Sequence, residues 1–148
     1  EKVSLRDIRT IIETLLEYAP KTQNPGELTA MVRIALSQAI VQTLAAPEKD
    51  LSVLVFDPKL ENMIIQSNQG QEPVNVAIEP NLATTMMNKM SQEADRLLSL
   101  GQKPVLLVQD FLRPAIARLM RKAAPELTIL SHSEVPESKK VSVLAVVK

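Results

Sequence analysis

The chain has 148 residues and a mass of 16.3 kDa, with 17 basic and 17 acidic residues and neither cysteine nor tryptophan. The apolar share is 45% but the aromatic share only 2%, so Tyr18, Phe56 and Phe111 are the whole aromatic set and the core has to be aliphatic. That excludes a disulfide scaffold and a thiolate metal site, argues against a disordered chain, and disfavours a single-strand nucleic-acid binder, which stacks bases on aromatics in a basic groove.

The first segment reads as a helix. Ile8, Ile11, Ile12, Leu15, Leu16 and Ala19 recur at helical spacing, Ser4 stands at the N-cap with Asp7 three residues on, and Pro20 closes it. Asn24-Pro25-Gly26-Glu27 starts a second helix with a capping residue, proline at the first position and an acid at the third. Its apolar face is Leu28, Met31, Val32, Ala35, Leu36, Ala39 and Ile40. Two such helices bury little by themselves, so this half is expected to lean on a partner outside it.

Pro47 and the charges after it mark a break, and the pattern then changes. Ser52–Phe56 reads as a strand, and Asp57-Pro58 opens a short helix with Leu60, Met63 and Ile64 inward. Ser67–Pro73 is a loop and Val74–Ile78 a short edge strand. Glu79-Pro80 opens a long helix with Leu82, Met86, Met90, Ala94, Leu97 and Leu98 on one face, stopped by Gly101. Pro104–Gln109 is continuously apolar, as expected of a strand covered on both faces. Leu112–Ala123 is a helix, Leu127–Ser131 a strand, Val135–Lys140 a loop and Val141–Val147 a last strand, expected antiparallel at an edge. The whole is an N-terminal helical hairpin over residues 1–48, then a small α/β sandwich over residues 49–148 with a four- to five-stranded mixed sheet. No apolar run approaches the ~18 residues of a spanning helix. The chain lacks an initiator methionine and is read as a segment of a longer protein.

Chemistry is sparse. With Gly26, Gly70 and Gly101 the only glycines, neither a phosphate loop nor a dinucleotide fingerprint can be built. No metal or cofactor is expected. Ser131-His132-Ser133-Glu134 holds the single histidine but lacks the nucleophile elbow of a hydrolase. Asp57 and Glu79, each before a proline, read as helix caps rather than as an acid–base pair. Met63, Met86, Met87 and Met90 read as gap-filling core rather than as an adaptable binding face. The last third, residues 101–148, carries a net charge of +4, with Arg113, Arg118, Arg121 and Lys122 on one helix. This is a solvated face or a patch for an acidic partner, with nucleic acid disfavoured by the missing aromatics. An enzyme reading would place a pocket at the strand ends near Gln109, Asp110 and His132.

Several stretches together resemble one family. Val3–Leu15 (VSLRDIRTIIETL) is similar to a signature of the type III secretion export-gate proteins, the FHIPEP family of FlhA/InvA type. Leu28-Thr29 with Val32–Leu36, Leu54–Pro58 with Leu60-Glu61, and Glu79–Leu82 follow in the family's order. So do Pro104–Val108, Leu112–Pro114, Pro125–Leu127 with Ile129–Ser131, and Ser133–Pro136, while Ser37-Gln38 and His132-Ser133 depart from the pattern. Arg113-Pro114 and Glu134-Val135-Pro136 look flagellar rather than virulence-type. The resemblance implies a bacterial inner-membrane protein whose cytoplasmic region has four subdomains and forms a ring, typically of nine. That region docks export chaperones and substrates, and meets the ATPase-stalk and switch proteins, for proton-driven secretion. This chain would then be most of the helical third subdomain and all of the fourth, cytoplasmic, touching the membrane only through a missing N-terminal region, and without catalysis of its own. Arg6, Arg9 and Arg33 on the helix pair, and Arg113, Arg118 and Arg121 on the basic helix, are the candidate subunit and partner contacts.

Overall fold

A computed structural model describes residues 7–44, 50–71, 76–136 and 139–147. The chain divides into two compact units. One comprises Glu1–Leu51 together with Ser133–Lys140, the other Ser52–His132 together with Val141–Lys148. Besides the change of character near residue 48, the chain enters the helical unit a second time after His132, where Glu134 bonds back to Arg33 across 101 positions of sequence, and leaves it again at Val141.

The helical unit holds α1 (Ile8–Tyr18), α2 (Pro25–Ala35) and α3 (Ser37–Gln42). Asp7, not Ser4, caps α1: its carboxylate accepts from the Thr10 N–H at 3.1 Å and from the Thr10 hydroxyl at 2.7 Å. Ser4 lies outside the described residues. Asn24 caps α2 as expected, accepting from the Gly26 N–H at 2.9 Å with Pro25 at the first position. The second helix is broken at Leu36 (φ −93°, ψ 9°), so its apolar face continues on α3 with Ile40 and Val41 buried. α1 packs on α2, but its apolar stripe does not turn inward. Thr14 is buried there, while Ile8, Ile12, Leu15 and Leu16 are exposed, Leu16 at 72%.

The second unit is a parallel sheet with helices. β1 (Leu51–Phe56), β2 (Val105–Val108), β3 (Thr128–Ser131) and β4 (Val141–Val147) lie in the order β3-β2-β1-β4. β1 pairs parallel with β2 in the register Leu54–Leu106, and β2 pairs parallel with β3 in the register Leu106–Ile129. The Leu51 N–H donates to the Lys140 carbonyl at 2.8 Å, which sets the start of β4 beside the start of β1. The last strand is therefore an edge strand as expected, but it runs with β1, and the mixed sheet expected from the short preceding loop is a parallel one. The loop achieves this by returning through the helical unit.

All four residues of β2 are buried, the signature of a strand covered on both faces. Leu54, Phe56, Leu106, Val108 and Ile129 share one face. They join Ile64 of α4 (Pro58–Ser67), Met86, Met90, Ala94 and Leu97 of α5 (Pro80–Ser99), and Ile116 and Met120 of α6 (Arg113–Ala123) in one aliphatic core. α5 ends as Gly101 predicts. At φ +75° Gly101 takes the left-handed position, and the Gly101 and Gln102 N–H groups reach back to the Leu98 and Leu97 carbonyls at 3.0 and 2.9 Å.

The expected strand over Val74–Ile78 falls partly outside the described residues, and Val76–Ile78 is irregular. A side chain takes the place of a neighbouring strand. The Asn68 amide donates to the Ala77 carbonyl at 2.8 Å and accepts from the Ala77 N–H at 2.9 Å, with a further 2.8 Å bond to the Ile64 carbonyl. Met63, expected inward, is half exposed on the outer face of α4.

Candidate functional site

The arginines singled out in the sequence differ in their exposure. Arg6 lies outside the described residues. Arg9 is exposed on α1, where its Nε donates to Glu13 at 2.9 Å, one turn on. Such an exposed i,i+4 pair contributes only about 0.3–0.5 kcal/mol and leaves Arg9 available to a partner. Arg33 is not a surface group at all: it is buried and forks onto Glu134, with Nε to Oε2 at 2.6 Å and Nη2 to Oε1 at 3.3 Å. Arg113 is likewise buried, in the first turn of α6. Arg118 and Arg121 are exposed on α6 with Lys122, so the basic stripe shrinks to these three. The burial of Arg33 and Arg113 has no local signal in the sequence. A helical arginine beside apolar neighbours reads as an exposed charge unless its distant carboxylate or packing partner is known.

The strand-end residues of the enzyme reading differ in exposure as well. Ser131, the last residue of β3, is buried, while His132 and Asp110, beyond the strand ends, are exposed. Asp57 and Glu79 act as caps, their carboxylates accepting from Lys59 (2.9 Å) and from Asn81 and Leu82 (3.1 and 2.8 Å).

Sequence reasoning missed one polar feature at this end of the sheet. Glu61 of α4 is buried, and its Oε2 accepts the Gln109 N–H at 3.0 Å just beyond β2. Burial pushes the Glu61 carboxyl above its ordinary range, opposed in part by the Gln109 bond and by the charge of His132. The bond ties α4 to the turn that leads into α6. In the sequence Leu60-Glu61 enters only through the family resemblance, and no hydrophobic pattern marks Glu61 as buried.

Two exposed surfaces stand out among the described residues: the apolar stripe of α1 with Arg9 beside it, and the basic stripe of α6. Among the described residues no three of His, Cys, Asp and Glu are grouped to hold a metal ion, and no helix is long and apolar enough to cross a membrane.

Residues 1–140 match the FHIPEP family. The chain belongs to the FHIPEP family. The flagellar biosynthesis protein FlhA of Salmonella typhimurium is 38% identical over 147 residues, which is 99% of this chain and 21% of that protein. The chain thus spans about a fifth of the length of its FlhA relatives. Among solved structures, the nonameric EPEC SctV-C superposes with a TM-score of 0.82 at 25% identity, over 99% of this chain and 44% of that one. The Chlamydia pneumoniae CdsV protein, solved in complex with CdsO, gives 0.81 at 25% identity over 99% of this chain and 44% of that one. The parallel α/β sheet with its helices is the fold of this FHIPEP segment.

Proposed function

We propose that this FHIPEP chain is part of the cytoplasmic region of a type III protein export gate of the bacterial inner membrane, serving as a docking and ring-building piece rather than as a catalyst. The observation that carries the reading is the collinear match over residues 1–140, with 38% identity to a flagellar FlhA across nearly the whole chain. The flagellar branch is favoured by that identity against the 25% shared with SctV-C. The nonameric state of SctV-C supports a ring, and the CdsV–CdsO complex supports a partner of the CdsO kind for this chain. Export chaperones and substrates are the further partners expected of such a platform, in proton-driven secretion.

The exposed stripe of α1 fits this role. Ile8, Ile12, Leu15 and Leu16 form a contiguous apolar face on a helix that already packs on α2. Faces of this kind on a small unit are interaction surfaces. The rest of the gate's cytoplasmic region is the occupant we assign to it, since this chain covers less than half of the comparable solved domains. The test places a photo-crosslinking residue at Leu16 in a FlhA carrying this chain in place of its own matching segment. Crosslinks from position 16 to gate residues upstream of the segment, or to a neighbouring gate copy, are expected. A gate that reaches the membrane at normal level with position 16 free of crosslinks to gate protein would refute the assignment.

A further inference from the structure

β3 and β4 are the outer strands of the sheet, and the two edges differ. β3 is four residues long, with Ile129, Leu130 and Ser131 buried. β4 is seven residues long, and Val141, Ser142, Val143, Leu144 and Val146 are all exposed. Successive side chains of a strand point to opposite faces, so Val141 and Val143 stand on one face and Leu144 and Val146 on the other. Apolar groups are thus bare on both faces of one strand. Parallel sheets are ordinarily covered on both faces. Long apolar edges are ordinarily shortened, charged or covered, because their outward N–H and C=O groups template a further strand. Among the described residues no strand pairs with the outer edge of β4.

Charge selects what can lie there. In the sequence β4 is bracketed by Lys140 and Lys148, and no charged residue stands between them. Lys140 is exposed, and its backbone carbonyl, not its ammonium, accepts the Leu51 N–H at 2.8 Å. A second copy of β4 laid along the edge would set lysine-bearing ends together in either direction of pairing, and like charges opposed across strands are unfavourable. A strand with acidic residues at its ends meets the opposite sign.

We propose that the outer edge of β4 docks an extended segment of a partner protein, an apolar stretch bounded by acidic residues, which adds to the sheet as a fifth strand. A strand that matches β4 in length has about seven residues. Backbone hydrogen bonds supply the grip, the exposed valines and Leu144 pack beside the incoming side chains on both faces, and the lysine charge sets the choice of partner. The edge is read from this chain's own residues and is independent of the export reading.

Fluorescence anisotropy on the 148-residue chain tests this with two labelled peptides that share a core of alternating valine and threonine, one flanked by aspartates at both ends and one by lysines. The aspartate peptide is expected to bind about tenfold tighter than the lysine peptide, and K140E to narrow that gap about threefold or more. At saturation, hydrogen–deuterium exchange in β4 is expected to slow while β3 stays unchanged. Absence of binding up to about 1 mM aspartate peptide overturns the proposal. So does equal binding of the two peptides, a preference that K140E leaves unchanged, or protection away from β4. A chain that is dimeric by light scattering, with β4 slowed as its own concentration rises and no peptide taken up, gives the edge to a second copy and overturns it as well. A peptide that binds the 148-residue chain but not a FlhA cytoplasmic region carrying this chain shows the edge covered by the gate itself, which also overturns it.

Discussion

Met90→Ala separates a core role from a surface role for the methionines of this chain. Met90 sits in the middle of α5 with no exposed area, in the cluster that includes Leu54, Leu106 and Ile116. Full burial of a methionine is worth about 1.5–3 kcal/mol in transfer, and the cavity left behind adds to the loss. Alanine returns a few tenths of a kcal/mol through helix propensity. The expected cost is about 3 kcal/mol. Met63→Ala serves as the internal control: Met63 is 50% exposed on α4, so its truncation should cost less than about 1 kcal/mol. Urea unfolding followed by circular dichroism at 25 °C reads both. With a slope of about 1.5–2 kcal/mol per molar, M90A should lower the midpoint by about 1.5–2 M and M63A by less than about 0.6 M. Equal shifts, or a larger one for M63A, would refute the placement of α5 over the sheet.

Glu61 gives a pH prediction. Its folded pKa lies above the unfolded one, so the folded chain binds more protons between the two, and stability falls as pH rises through that window. E61Q keeps an acceptor for the Gln109 N–H and removes the buried charge, so the variant should gain on the parent as pH rises from 4 to 8 in thermal melts; a parallel pair of pH curves would count against the burial of this carboxylate. Asp57→Ala removes the cap on the Lys59 N–H at the start of α4 and should cost about 1 kcal/mol in the same urea assay, with Asp57→Asn nearly neutral.

The sheet unit was largely legible in the sequence because its signals are local. Short β-branched runs, acid–proline helix starts and Gly101 each fix an element within a few residues. The inward faces of α5 and α6 follow from spacing alone. What escaped depends on distance in sequence. Arg33 and Glu134 are 101 positions apart, and only the fold brings them together. The direction of β4 could not be read from its preceding loop, since the loop detours through the helical unit. Asn68 replaces a strand neighbour with one amide group, and no pattern of hydrophobicity records that. The α1 stripe was read correctly as apolar, but a periodic face carries no label for what covers it. The resemblance to the export-gate family rested on collinear stretches rather than on any catalytic residue, which is why family and fold were legible while the contacting side chains were not.

The most direct test of the central claim is export itself. This chain is put in place of the matching segment of Salmonella typhimurium FlhA, in cells lacking their own copy, and flagellar proteins released into the medium are measured. The account predicts release clearly above that of the deletion strain, reduced again when Leu16→Asp is introduced into the α1 stripe. A chimera present in the membrane at normal level that exports no more than the deletion strain would contradict it.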